Sequence, residues 1–241
     1  MQLKVAILLV HGAEAAVAAR TAGGTTPIVC LPCGDVISTG LVRELARPGG
    51  RITGLTAINP AMSGKRLELL KQVVPGLAQV AILWNSRNPV SVPEVREMES
   101  AASALGLKVQ SLPIADAREI EAAFAAASRE RAQALVVMWD AMFLGRRKEI
   151  AGLALAQRIP SIAWTAELAR DGVLMGYGAD YDALYRRGAA YVDKLLKGAK
   201  SAEIPIEQPT KFELVVNLRT AQSLGLTIPN LLKTQADEVI Q

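Results

Sequence analysis

The chain holds a single histidine, His11, and no Gly-x-Ser-x-Gly string. A hydrolase triad sets a nucleophile beside a base, so these absences argue against one. Cysteine and histidine do not cluster, which leaves no zinc signature. Gly176-Tyr177-Gly178 does not extend to Gly-x-Gly-x-x-Gly, because Tyr181 stands where the third glycine belongs. Lys65 follows Gly64, but a phosphate-binding loop would need a glycine where Asn59 stands. The expectation is a protein without catalysis and without a cofactor or metal.

Long apolar runs are missing too. The longest aliphatic stretch, Val5–Val10, is far short of the roughly 20 residues that span a bilayer. No basic segment precedes it and no cleavage site follows, so no signal peptide is read. The net charge of +4 is scattered over Arg146–Lys148, Arg186, Arg187, Lys194, Lys197 and Lys200. The last three have the near-helical spacing of a solvated face, and no nucleic-acid-binding signature accompanies them. A nucleic-acid partner is not expected.

The two cysteines, Cys30 and Cys33, form Cys-Leu-Pro-Cys after a strand-like segment, a spacing shared with thioredoxin-type redox motifs. An extended chain separates their α-carbons by about 10 Å, beyond the roughly 7 Å limit for a disulfide. They could meet only if a helix began near Cys33. The alternative is two small apolar residues at a strand end.

What the chain does have is a rhythm. Its 241 residues are 51% hydrophobic and 21% charged, enough core for one large or two modest domains. Leu67, Leu70, Val74 and Leu77 mark an amphipathic helix, followed by the strand Val80–Trp84. Ser91 and Glu94 have capping-box spacing for a helix that ends at Gly106. Leu107–Leu112 reads as a strand; Asp116 with Glu119 caps a helix whose inner stripe is Ile120, Ala123, Phe124 and Ala127. Strand Ala134–Trp139, helix Arg146–Arg158, strand Ser161–Trp164, a short helix, strand Val173–Tyr177 and a long helix through Leu184, Gly188, Tyr191 and Leu195 follow. The N-terminal part repeats the grammar: strand Val5–Val10, helix Ala13–Arg20, strand Pro27–Leu31, helix Ser38–Ala46, a break at Pro48-Gly49-Gly50, then the extended connector Ile52–Leu55. Strands without in/out alternation, each followed by a helix, predict a doubly wound α/β protein with parallel sheets. A lobe boundary is placed near Asn59.

Residues 80–89, VAILWNSRNP, raise the functional question. Five apolar residues run into a turn with two asparagines, and ligands of open parallel sheets bind beyond the strands' carboxyl ends. The residues at those ends are His11 and Gly12, Asp35, Asn85 and Asn88, Trp139 and Asp140, Trp164, and Tyr177 with Asp180. Together they are read as a ring around a cleft. Each polar member has a second reading as a helix cap, and each tryptophan as core. Trp84, ahead of its polar turn, is assigned to the core.

Several longer stretches carry a resemblance. ELARPGGRITGLT (44–56), GKRLELLKQVVPGLAQVAILWN (64–85), GVLMGYGADYDALYRRGAAYVDKLLKGAK (172–200) and IPIEQPTKFELVVNLRTAQSLGLTIP (204–229) resemble the ABC-transporter substrate-binding protein family that includes tryptophan- and tyrosine-binding members. The resemblance runs from about residue 5 to the C-terminus. It implies a type I periplasmic-binding-protein fold, with two lobes joined by crossing strands: residues 1–58 and 175–205 in the first, 59–174 and 206–241 in the second. It further implies a periplasmic protein without catalysis that captures a small solute and delivers it to a membrane permease. Carried onto this chain, the ten strand-end residues become ligand contacts. The helix starts near Gly12 and Ser38 would receive a carboxylate, and Trp139 and Trp164 would stack a ring.

One departure accompanies the resemblance. Family members usually carry a signal and one or two more strand–helix units before the segment matching Val5–Val10, whereas Met1 lies almost on that strand. The first lobe is therefore expected to be incomplete, to bind solute weakly and to form a homodimer over an exposed sheet edge. A cytoplasmic ligand-sensing module of the same fold, favoured by the missing signal, and an α/β enzyme are the alternatives.

Overall fold

The computed structural model describes residues 5–57 and 61–241; the expected boundary at Asn59 lies outside them. In chain order the elements begin with β1 (Leu8–His11), α1 (Ala13–Thr21), β2 (Ile28–Leu31), β3 (Ile52–Gly54), α2 (Ala61–Val73) and β4 (Gln79–Asn85). Next come α3 (Ser91–Ala104), β5 (Lys108–Ile114), α4 (Ile120–Arg129), β6 (Ala134–Val137), α5 (Ala141–Gly145) and α6 (Arg147–Ala156). The chain continues with β7 (Ser161–Ala163), α7 (Ala166–Arg170), β8 (Met175–Ala179) and α8 (Tyr181–Leu196). It closes with β9 (Phe212–Asn217), α9 (Leu218–Leu224), α10 (Asn230–Gln235) and β10 (Glu238–Ile240). Two units emerge: Met1–Asn59 with Ala179–Lys211, and Pro60–Gly178 with Phe212–Gln241.

In the first unit, β1, β2 and β3 pair in parallel, with Val10 opposite Cys30 and Cys30 opposite Gly54. Ile28, Cys30, Val36, Ile52 and Ile206 form its core. Helix α8 lies close on β2, because a Cβ at Gly188 would overlap the Leu31 side chain. The returning segment covers the outer side of β3: the Glu207 N–H donates to Gly54 O (3.0 Å) and the Thr53 hydroxyl to Ile204 O (2.8 Å). Nothing comparable covers β1 among the described residues, and Leu9 on that strand is 54% exposed.

In the second unit the strand order is β10-β9-β8-β7-β6-β4-β5. Every residue of β6 is buried, as expected of a parallel strand covered on both faces. Leu67 and Leu70 of α2 and Met98 of α3 pack with Val80, Ile82 and Val136 in one core; each such large side chain contributes about 1.5–3 kcal/mol on burial. The glycines of Gly176-Tyr177-Gly178 have a packing role. A Cβ at either would overlap the backbone of Trp164 or Thr165, so only glycine lets β8 run this close to the turn after β7.

The backbone departs from the sequence reading in four places. Residues 38–46 form no helix: Asp35 Oδ1 accepts the N–H groups of Ile37 (2.9 Å) and Ser38 (3.0 Å), and Gly40 turns left-handed at φ 65°. The apolar Val36, Leu41 and Val42, at a spacing that does not make a helical stripe, then enter the core. Ile52–Gly54 is a sheet strand rather than a connector. Ser91 is the first residue of α3 and not its cap; Asn88 Oδ1 instead accepts the Val90 N–H (3.1 Å) ahead of it. Finally, residues 175–178, assigned from sequence to the first lobe, pair with β7 in the second unit (Ile162 opposite Met175). Residues 206–211, assigned to the second lobe, lie in the first, where the Ile206 N–H donates to Leu45 O (2.8 Å).

Candidate functional site

In the second unit, the pairing of β4 with β6 brings their carboxyl ends side by side (Leu83 opposite Val137). Asn85 ends β4 and Asp140 follows β6 by three residues. Asn85 Nδ2 donates to Asp140 Oδ2 at 3.0 Å, and Asn88 Nδ2 to the same oxygen at 2.8 Å. Asp140 Oδ1 accepts the Met142 N–H (2.8 Å) and so caps α5. Each asparagine also accepts with its own Oδ1: Asn85 from the Arg87 N–H (2.9 Å), Asn88 from that of Val90. This explains the amide side chains of the turn. Only a group that accepts and donates can fold its own turn and hold a neighbouring carboxylate. The three residues are 8%, 3% and 4% exposed, and the carboxylate rests on charge-assisted N–H bonds.

The loops after β6 and β7 also bring two tryptophans together. Trp139 and Trp164 meet edge to face, with ring centroids 5.9 Å apart at 61°, an arrangement favoured by the aromatic quadrupole. Trp164 is buried and Trp139 half-buried. Tyr177 leans on Phe212 (6.5 Å), and its carbonyl accepts from Arg66 Nε at 2.9 Å. Trp84, expected in the core, is half-buried and donates from Nε1 to Ser111 Oγ (2.9 Å).

In the first unit, His11 ends β1. Its Nδ1 lies 2.9 Å from Tyr185 Oη, and the rings stack at 5.9 Å and 26°. Burial lowers the imidazole pKa from its ordinary value, so the ring is neutral at pH 7 and keeps one bare nitrogen suited to a phenol donor. Tyr181 continues the group, 6.4 Å from Tyr185. Gly12 takes φ 81° at the start of α1, where no side chain caps the helix. The second anion-binding start expected near Ser38 is absent, because no helix begins there. Asp35 serves its own turn through the two bonds already given.

Asp180 has a structural duty as well. Its Oδ1 accepts the Ala183 N–H (2.8 Å) and caps α8, while Oδ2 accepts from Lys211 Nζ (2.7 Å). The Lys211 bond, then the Ala183 N–H, lowers this carboxyl's pKa. Asp180 lines a groove of 730 Å³ with Leu55, Leu184, Arg187, Glu207 and Lys211. Arg187 grips Glu207 through two bonds of 2.8 and 2.6 Å, so the groove combines an apolar floor with matched ion pairs.

The structure thus joins Asn85, Asn88 and Asp140 in one network and Trp139 with Trp164 in another. Tyr181, Tyr185, Arg66 and Lys211 were not singled out from the sequence. The two tyrosines carried a usable signal, an i,i+4 pair at the start of the helix after Asp180. Among the described residues, no group of three or more His, Cys, Asp or Glu is placed to hold a metal ion. Nor is any described helix long and apolar enough to cross a membrane.

Comparison with known proteins places these features in a family context. A family model described as ABC transporter substrate binding protein matches residues 2–240. A tyrosine-binding protein from Clostridioides difficile is 24% identical over 224 residues, covering 92% of this chain and 64% of that protein. The chain therefore spans less than two thirds of that curated relative. Among solved structures, an ABC domain from Streptococcus pneumoniae in complex with L-Trp superposes with a TM-score of 0.92 at 24% identity, over 98% of this chain and 79% of that one. The ligand-free, open structure of a substrate-binding protein from Clostridium difficile gives 0.70 at 23% identity, over 99% and 79%. These likenesses show the fold, the type I α/β architecture that the family resemblance implies.

Proposed function

The chain belongs to the ABC transporter substrate binding protein family, and from that premise we propose that it captures an amino-acid-like solute, aromatic ones above all, and hands it to the membrane permease of an ABC importer. The observation that carries the reading is the family match over residues 2–240, nearly the whole chain. The relatives' names support the ligand class: one is a tyrosine-binding protein and another holds L-Trp. In this reading the strand-end groups of each unit are the ligand contacts. Trp139, braced edge to face by the buried Trp164, and the neutral His11–Tyr185 pair offer surfaces to a ring or apolar side chain, and the Asn85–Asn88–Asp140 network supplies hydrogen-bonding groups for the ligand's polar end. Asp35, Tyr177 and Asp180 complete the proposed set. No catalytic step is assigned, and the site of action is outside the cytoplasm. Pairing of two copies along β1 belongs to the same proposal, supported by the exposed Leu9; light scattering at rising concentration tests it.

The decisive experiment is a thermal-shift titration with L-Trp, L-Tyr, L-Leu and L-Asp. At 100 times Kd a ligand stabilises the native state by about 2.7 kcal/mol, so the aromatic amino acids are expected to raise Tm saturably and L-Asp to leave it unchanged. Equal, non-saturating responses to all four would end the proposal.

A further inference from the structure

The backbone around Leu55 fixes where the two cysteines stand. In a regular parallel ladder, the N–H and C=O of one residue bond to two residues of the next strand that are two positions apart. Here the Leu55 N–H donates to Cys30 O (2.9 Å), and Leu55 O accepts from the Cys33 N–H (3.1 Å). The flanking residues are thus three apart, and one extra residue has been taken into the strand. Pro32 stands where the second bond would form in a regular ladder and has no N–H to give. The extra residue bulges toward β1, where the Gly12 N–H reaches both Leu31 O (3.4 Å) and Pro32 O (3.2 Å). Cys30 and Cys33 therefore occupy the places of strand neighbours i and i+2. That spacing is about 6.6 Å between α-carbons, at the upper end of the roughly 4.4–6.8 Å that disulfides span. The Cβ atoms must close from a similar distance to roughly 3.5–4.5 Å, a tilt that the irregular backbone at the bulge supplies between two thiols already neighbours. Alternation sends two such side chains to the same face, and both cysteines lie fully buried in one core cluster. The separation of about 10 Å expected of a straight strand is removed by the bulge, with no helix required.

We propose that Cys30 and Cys33, free thiols in this structure, are the two halves of an intramolecular disulfide that closes the Pro32 bulge when the chain folds in an oxidising compartment. The oxidant is a small-molecule or protein disulfide. The thiolate of one cysteine attacks a sulfur of that disulfide, forms a mixed disulfide and releases one thiolate. The other cysteine, deprotonated, attacks the first cysteine's own Sγ, breaking its bond to the oxidant's sulfur, which leaves as the second thiolate. The protein gives up two electrons and two protons, and the oxidant leaves as two thiols. The exchange belongs to folding rather than to the finished protein. Burial, and then the neighbouring Cys30 thiol, push the Cys33 thiol far above its usual range, so the folded chain presents little thiolate.

The test is to unfold the reduced chain, refold it in a glutathione redox buffer and weigh it intact. The expected product is a monomer lighter by two hydrogens, with native circular dichroism and no alkylation by iodoacetamide after denaturation. A ring this short restricts the unfolded chain little, so its Tm should exceed that of the reduced form only slightly. Folded, reduced protein placed in the same buffer should keep both thiols over the same period. Cys33→Ser, or Cys30→Ala should the first fail to fold, should show no two-hydrogen loss. Two alkylatable thiols after oxidative refolding, oxidation only as dimers or glutathione adducts, or a disulfide form lacking native dichroism would each overturn the proposal.

Discussion

At the scale of single residues, Asp140 is the side chain on which most depends. It accepts from two buried amides and one backbone N–H, so truncation leaves buried donors without an acceptor. Asp140→Ala should lower stability by about 1–3 kcal/mol, read as a fall in urea midpoint at constant m-value. Asp140→Asn should not restore it fully, because its NH₂ would face the NH₂ groups of Asn85 and Asn88 or give up Met142. A wild-type urea midpoint in either variant would show that the network is not the support described. The asparagines, tryptophans and aspartates of the candidate site were legible as residues, since each follows a run of buried strand. Their mutual bonds were not, because these depend on β4 and β6 being neighbours in space, and the long-range order of strands leaves no local mark. Tyr185 was overlooked for a related reason: its partner His11 is 174 positions away.

At the scale of elements, helix α8 shows how a strand-end aspartate can be read two ways. Asp180 is a cap and one half of an ion pair whose other half, Lys211, is 69% exposed. An exposed partner makes the pair worth less than about 1 kcal/mol. Asp180→Asn keeps an N-cap and loses the charge, and it should cost no more than that at pH 7; Asp180→Ala should cost about 1 kcal/mol further. The lowered carboxyl pKa sets the pH course. The charge contribution is complete above the unfolded value of about 3.9 and disappears as pH falls through the lower folded value. The gap between wild type and Asp180→Asn in denaturant melts should therefore close on acidification below that range. A gap unchanged with pH would remove the ion pair as its cause. The same helix and the strands around it were readable because burial imposes period 3.6 or unbroken apolar runs. Residues 38–46 were misread because a turn led by Asp35 and Gly40 can bury Val36, Leu41 and Val42 without any helical period.

At the scale of the molecule, the two units differ in how thoroughly their sheets are covered. In the second, β4 and β6 sit inside the sheet, with α2 and α3 contributing to one large core. In the first, the sheet is short, its core cluster is small, and among the described residues β1 has one paired side and residues that are half-buried or exposed. Local opening is governed by how much apolar surface and how many backbone bonds an opening must break. Native-state hydrogen exchange should therefore proceed in order: amides of β1 first, those of β2 and β3 next, and those of β4 and β6 last, near the global unfolding limit. The ordering should persist at two pH values under conditions where exchange follows opening equilibria. Protection of β1 equal to that of β6 would mean that the first unit's open edge is covered in solution. The self-association proposed along β1 is the covering to look for, and raising the protein concentration should then slow β1 exchange while leaving β6 unaffected.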